Sequence, residues 1–592
     1  MPFVVILSGA RNLSCSFWSS VCAFALVLVL VAPAPARATI RYDVSLAHPE
    51  RHQFHVTMTV PVTSPWTFVQ MPAWNALYQI RDFGARVTDF RASDAANNSL
   101  PVRRLDKGTW QIDTYSHGSA ISGLRIQYTT FWDDPGPFDT QLNSDHAFIN
   151  LAMILCYVPE RRGEDDVVHF TDVPRDWRTA VELLPDKASP DKSAPSGAAF
   201  DTPNFVAPNY DALVDAPVEI GQFEEWSFTG GTQGAGRTIR VVYHGERVDH
   251  DALTHMLSQI VNYETGMMGG APFPEYTFFL HVGPNYGGGG MEHANCTAIS
   301  VDSFAQLMNV SAHEFFHLWN VKRIRPQTLE PVDYTREMYT RALWFAEGVT
   351  STYAAYTLVR TGLWSHAQFL ADLGQQINEL ESRPARAWQS AEESSLDTWL
   401  DKYSLYNRPE FSISYYNKGQ LLGVALDILI RDATDNRASL DDVMRRMNRE
   451  YAERGRFYDD SADVERAVEE VVRDEAVGEA EPGSAPNAVP GTEPNGEANP
   501  GVGAGPRAGS TFADFFRRYV SGTDEMPFAD LLARAGLTLG MLSQSKASAV
   551  QGVPQVYYVQ EAPGATERQL RIRNGIVQGT TDAGVGRPAA VR

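Results

Sequence analysis

Cysteine is scarce in this chain, with four residues among 592. Cys15 and Cys22 fall in an N-terminal targeting segment, which leaves Cys156 and Cys296. One pair closes a disulfide only if the fold brings the two thiols together, and spacing does not show that. Two isolated cysteines also make no zinc-ribbon pattern. Positive charge is short as well: 50 basic residues against 72 acidic ones leave a formal net charge of −22. That balance argues against nucleic acid or an anionic membrane as the main partner. Long apolar runs are missing. The run from Val21 to Ala32 is short of the roughly 20 residues a transmembrane helix needs. No internal repeat is evident.

What is present is a soluble globular composition, 43% hydrophobic and 21% charged, on a chain long enough for roughly two to four domains. Residues 1–38 read as a signal peptide. Arg11 supplies a modest positive region, the apolar run ends at Pro33, and Ala36-Arg37-Ala38 is a small-residue cleavage signal before Thr39. The expected protein is exported, periplasmic or secreted, and it contacts a membrane only if this segment stays uncleaved.

From Thr39 to about residue 245 the signals are those of strands. Phe54 to Val60 and Leu124 to Tyr128 alternate or cluster β-formers, and Ala95 to Ser99 is turn-rich. Short strands at short spacing predict an antiparallel β-sandwich. Asp186 to Pro203 reads as a surface loop. Beyond residue 245 the period changes. A helix is predicted over 251–264, a strand over 276–282 and a flexible turn over 287–290. Helices follow at about 303–320, 336–360, 366–382, 416–431 and 439–453. The expected class is α+β multidomain, with a catalytic domain over 246–542 behind the all-β one. Within it, 474–510 is rich in Pro, Gly, Ala and Glu with little to bury, and reads as a disordered insert. Thr511 to Leu539 looks helical again, and 543–592 reads as a weakly patterned tail.

One motif carries chemistry. His313-Glu314-Phe315-Phe316-His317 is an H-E-x-x-H sequence, with Ser303 and Gln306 as a capping box and Pro326 as the predicted end of the run. On a helix, positions four apart lie on one face, so both imidazoles reach a single Zn²⁺. Glu314 is rotated off that axis, beside the place of a metal-bound water. Apolar Phe315, Phe316, Leu318 and Trp319 imply a buried helix. No Gly or His occupies the metzincin spacing. Of the downstream acids Glu330, Asp333, Glu337 and Glu347, only Glu347 lies inside an apolar helical run. A carboxylate there is costly unless it is paired or bound to metal. Glu347 is therefore the expected third ligand, for one zinc ion per chain.

The stretch His313 to Pro326, with Trp344-Phe345-Ala346-Glu347-Gly348 behind it, resembles the glycyl aminopeptidase family of gluzincin zinc metallopeptidases. The resemblance spans roughly residues 39–540. It implies a thermolysin-like, mainly helical zincin domain after the β-sandwich, peptide substrates, and removal of small N-terminal residues such as Gly or Ala. It also gives meaning to two further segments. Gly289-Gly290-Met291-Glu292 is similar to the family segment that lies along the substrate, where Gly290 allows close approach and Glu292 binds the α-ammonium. Tyr416-Asn417-Lys418-Gly419 is similar to the segment whose Tyr donates to the oxyanion, with Tyr415 adjacent and not distinguished from it. His293 departs from the Asn of aminopeptidase N-type enzymes. Arg323 and Arg325 either bind a substrate carboxylate or support the helix end. Many relatives carry a PDZ domain at the end of the chain, and none is recognisable here. The rival readings are a zinc endopeptidase of the same fold and a non-catalytic peptide-binding protein on a zincin scaffold.

Overall fold

The computed structural model describes residues 39–582 apart from 76, 117–118, 122, 187–198, 232–235, 402–407, 478–507 and 543–555. The targeting segment, most of the predicted loop after Asp186 and most of the predicted disordered insert lie outside the described residues.

The first domain is β-rich. Its largest sheet orders eight strands, with Ile40–Ser45 and Gln53–Val60 at its centre, and Leu124–Phe131 and Asp166–Thr171 on either side of them. Buried and more exposed side chains alternate along Gln53–Val60 and Leu124–Phe131, as expected of strands with one face on a core. The pairing is antiparallel except for Ile40–Ser45 against Asp166–Thr171. Those two strands are far apart in sequence, so no hairpin dictates their direction. A second sheet places His146–Ile149 and Val218–Gly221 side by side between Gln141–Leu142 and Arg178–Val181.

The second domain is mainly helical around one five-stranded sheet. Its order is Glu224–Gly230, Arg237–Gly245, Glu275–Val282, Cys296–Val301 and Gly289–Glu292. The strands at 224–245, counted with the β domain on sequence grounds, hydrogen-bond into this five-stranded sheet. The run Glu275–Val282 is buried almost throughout, because helices cover one face of the sheet and the β domain covers the other. The predicted turn at 287–290 is half strand: Gly289 and Gly290 pair with Ser300 and Ile299, leaving Gly289–Glu292 as the free edge. Leu537–Leu539, expected to be helical, is strand, and the described residues of the expected tail over 543–592 are ordered into a strand and a helix. Leu537–Leu542 pairs with Val556–Glu561, and the helix Glu567–Gln578 buries Ile572, Ile576 and Val577. Cys156 and Cys296 are both buried free thiols.

The two domains meet sheet on sheet. Phe148 and Ala180 from the first domain pack with Val242, Phe279, Cys296 and Ala298 from the second. Beside this apolar patch, Glu219 is fully buried and accepts from His146 at 2.9 Å and from His281 of the second domain at 3.0 Å. The His244 ring stacks on that of His146 with centroids 4.3 Å apart. Burial alone would raise the Glu219 carboxyl, but His146 and His281 hold it well below the usual range. Burial would lower the His146 imidazole, but Glu219 overrides it, and Asp145 and Asp133 add to the upward shift. Burial wins at His244, which falls to about 4.

These shifts set a pH window by linkage. The raised His146 contributes stability that is complete below its unfolded value of 6.5 and fades as the pH climbs. The depressed His244 loses stability as the pH falls from 6.5, and Glu219 loses it below 4.5. The contribution of this cluster to urea resistance should therefore peak near pH 6.5 and decline on both sides. Removing the carboxylate leaves the interface histidines unpaired, so Glu219→Ala should cost about 3–5 kcal/mol and flatten the decline above the maximum. Equilibrium urea denaturation across pH reads both effects.

Candidate metal centre

The helix that carries the histidines runs Phe304–Phe316 and ends well before Pro326. His317 is the first residue beyond its last turn, and the chain then reverses through a turn with Val321 at φ 104°. The reciprocal capping box is not formed at its start. Ser303 is the N-cap residue without a side-chain cap, and Gln306 instead accepts from the Asp302 N–H at 3.1 Å. Three aromatic contacts set the rotation of this helix. Phe315 meets Phe278 and Tyr276 on the sheet. Phe316 stacks on Tyr353 with centroids 4.3 Å apart. The opposite face, with His313 and Glu314, is thereby turned to a cavity of about 700 Å³.

Glu347 comes from a second, distorted helix. No helix forms over 336–342. Thr340 accepts from the Ala342 N–H at 3.2 Å, and Ser395 accepts from the Trp344 N–H at 3.0 Å, so side chains cap the backbone where helix was predicted. Trp344–Val349 is π-helical and passes into α-helix over Thr350–Arg360. Hydroxyls of Thr350, Ser351 and Thr352 donate to the carbonyls of Ala346, Glu347 and Gly348, satisfying groups that the widened turn disturbs. A helix over Tyr415–Ala433 crosses this turn at two glycines. A Cβ on Gly348 would lie 2.4 Å from the Gly419 Cα, and one on Gly419 would lie 2.3 Å from the Trp344 carbonyl. Only that close crossing brings Tyr416 next to the histidines, with ring centroids 6.1 Å from His313. The neighbouring tyrosine is excluded from the role: the Tyr415 hydroxyl bonds Thr398 at 3.1 Å inside the core.

The three candidate ligands converge. His313 and His317 Nε2 stand 3.0 Å apart, and Glu347 Oε2 lies 3.4 and 3.3 Å from them. His317 Nδ1 faces the Asn320 carbonyl at 2.7 Å, which can only accept, so Nδ1 carries a proton. His313 Nδ1 faces the Ser351 hydroxyl at 3.3 Å; that hydroxyl is already donating to the Glu347 carbonyl. Both Nε2 atoms therefore face the site, and at this spacing a proton or a metal cation has to lie between them. Burial would lower the His317 imidazole, yet Glu347, Glu292 and Glu314 lift it to about 10. The site thus stabilises positive charge strongly. Ligand atoms about 2.0–2.1 Å from a tetrahedral zinc ion stand roughly 3.4 Å apart, so the donor set fits such an ion. A second group, His146, Glu219 and His244, fits less well. The His146 and His244 planes are stacked at 22°, so their in-plane lone pairs cannot both point at one ion.

Glu314 is buried, and its Oε2 has no hydrogen-bond partner among the described residues. Burial, then the Glu292 and Glu347 carboxylates, push its carboxyl well up, against the pull of His317. Its carboxyl packs flat on the edge strand, where a Cβ on Gly290 would fall 2.3 Å from Oε1. Glu292, Glu314 and His317 offer ligating atoms within 4.8 Å of one another. Of the other sequence candidates, Glu330 pairs with Arg325 at 2.5 Å and Asp333 with Arg336 at 2.7 Å. Arg323 is structural, donating to the Leu318 and Pro272 carbonyls. His293 ties the end of the edge strand to Asp215 of the β domain at 3.2 Å, and Lys322 holds the same carboxylate at 2.8 Å.

Three contributors went unread in sequence. Asn320 fixes the His317 carbonyl partner and donates to the Phe345 carbonyl at 2.8 Å and to Thr350 at 3.1 Å, joining both ligand-bearing segments. Its place inside the conspicuous His313–Pro326 stretch was the available signal. Tyr78 and Phe138 of the β domain line the cavity. Burial, Glu347 and Glu292 raise the Tyr78 phenol. Nothing local marks either residue, because they reach the cavity only through domain packing.

Fold and site together define a metallopeptidase. Residues 306–422 match the family described as M61 glycyl aminopeptidase, and residues 41–222 match the Peptidase M61 N-terminal domain, about half of the chain between them. The chain belongs to the M61 glycyl aminopeptidase family. An aminopeptidase N family protein from Idiomarina loihiensis has a similar structure, with 24% identity, a TM-score of 0.69, and 85% of this chain and 79% of that one covered. That likeness is one of fold. An M1 zinc metallopeptidase from Deinococcus radiodurans gives 14% identity and a TM-score of 0.45, over 74% of this chain and 93% of that one. No curated protein sequence matches significantly.

Two substitutions test this geometry. Asn320→Ala keeps the carbonyl that His317 donates to but removes the side-chain bonds that hold it in place, and should weaken metal binding about 10-fold, the low end for outer-shell changes, measured by chelator competition. Gly290→Ala should displace Glu314 without touching the ligands. Metal content should stay at the wild-type level while turnover falls about 100-fold, and an unchanged rate would refute the packing described.

Proposed function

We propose that the chain is a zinc aminopeptidase, holding one zinc ion through His313, His317 and Glu347 and removing N-terminal residues from peptides. The observation that carries this reading is Glu292. It sits at the end of the free edge strand, beside Glu314 and His317, and its carboxylate makes no hydrogen bond or ion pair among the described residues. An unpaired carboxylate there selects a cation, and the cation every free peptide offers is its α-ammonium. A peptide added along Gly289–Glu292 then has its first carbonyl beside the ligand triad.

When bound, zinc would polarise that carbonyl and bring the pKa of a coordinated water near 7. The chain's own groups do the rest. Glu292 anchors the ammonium and so sets the register. Gly290 lets the substrate backbone come close. Glu314 takes the proton of the attacking water and returns it to the departing amine. Tyr416 donates to the oxyanion, a contribution of roughly 2.7–4 kcal/mol for such donors. A preference for Gly or Ala rests on the family likeness. Export rests on the pattern of residues 1–38.

Matched peptides with free and acetylated N-termini test the reading. The free forms should be cleaved and the acetylated ones at least 100-fold more slowly; equal rates would make the enzyme an endopeptidase. Glu292→Gln should lower kcat/KM by about 10–150-fold, the range of one charge-assisted hydrogen bond. Glu314→Gln should lower kcat by about 10²–10⁴ with zinc retained.

A further inference from the structure

Gly289 has no side chain, and another domain stands in that place. A Cβ on Gly289 would lie 2.9 and 3.1 Å from ring carbons of Phe138, a half-buried residue of the β domain that lines the cavity. The segment around Phe138 is built into position. Arg81 donates to the Phe138 carbonyl at 2.8 Å and pairs with Asp139. Asn150 donates to the Pro137 carbonyl at 3.0 Å. The backbones of Gly136 and Gly287 touch so closely that a Cβ on Gly287 would lie 2.9 Å from the Gly136 Cα. The ring is therefore a fixed wall over the free edge of the strand.

Direction follows from the two acids. Glu292 marks the substrate's N-terminus and Glu314, lying on Gly290, marks the reacting carbonyl. A peptide running antiparallel to the strand places the residues after the scissile bond alongside Gly289. In an antiparallel pair, directly opposite residues point to the same face with Cβ atoms about 4.5–5.5 Å apart. The peptide side chain opposite Gly289 thus meets whatever occupies the Gly289 side-chain position, and that is the Phe138 ring.

We infer that Phe138 is a specificity-determining residue for the leaving part of the substrate, favouring peptides with an apolar side chain just after the scissile bond. The ring offers carbon and no hydrogen-bonding group, so a polar side chain loses hydration there without return. This inference rests on the aminopeptidase reading and adds a second recognition element on the opposite side of the cut.

The test compares Ala-Leu-Leu-amide with Ala-Asn-Asn-amide, which vary both residues after the bond. Each kcat/KM is expressed relative to alaninamide, whose leaving group is ammonia and has no side chain. Wild type should favour the leucine peptide by tenfold or more. Phe138→Ala should reduce that ratio at least fivefold, and Phe138→Leu, which keeps an apolar surface, should retain most of it. A wild-type ratio near one, or a ratio unchanged in Phe138→Ala, would overturn the inference while alaninamide hydrolysis leaves the aminopeptidase reading intact. Failure of the wild type to cleave any of the three would instead overturn the reading beneath it.

Discussion

Glu347 sits on an all-apolar stretch of helix with almost no contact with water. A carboxylate so placed is several kcal/mol out of balance unless a positive partner is permanently at hand. His313 and His317 turn their Nε2 atoms towards it, 3.0 Å apart, because their Nδ1 protons are committed to Ser351 and Asn320, so the balancing positive charge sits between those nitrogens. A metal cation held in common satisfies all three. Much of the second domain is arranged to keep that condition. The π-turn aims Glu347, Asn320 ties it to the His317 turn, and the Gly348–Gly419 crossing brings Tyr416 to the rim.

The β domain is part of the same arrangement. It covers the outer face of the catalytic sheet with Phe148 and Ala180 and locks it through Glu219 between His146 and His281. It also reaches the cavity, with Tyr78 near the acids and Phe138 over Gly289. Asp215, again from this domain, holds both His293 and Lys322 at the end of the edge strand. The cavity is therefore lined by two domains, with the candidate ligands on one and part of the wall on the other.

Much of this was legible in order of locality. The i, i+4 histidines needed only helical periodicity, and the choice of Glu347 over Glu330 or Asp333 needed only the cost of burying an acid. Strand periodicity located Phe54 to Val60 and Leu124 to Tyr128, because alternation is a local signature. Helix ends were less legible. Gln306, Thr340 and Ser395 redirect backbone hydrogen bonds by side-chain contacts that propensity cannot foresee. The C-terminal hairpin and helix were missed because Leu537–Leu542 finds its partner only across residues 543–555 and Ile572, Ile576 and Val577 find their core only in the folded domain.

The sequence by itself determined the candidate residues His313, Glu314, His317 and Glu347, each a titratable group in a run whose period or apolarity betrays its setting. It also determined that a run of glycines shortly before Glu292 lies upstream of them. Tertiary structure decided which of two adjacent tyrosines faces the cavity, that Arg323 and His293 are supports, and that Tyr78 and Phe138 belong to the site at all. The division has a physical cause. Periodicity and burial cost act between neighbours along the chain, whereas a carbonyl that fixes a tautomer, or a ring that replaces a missing side chain, acts between segments joined only when the core forms.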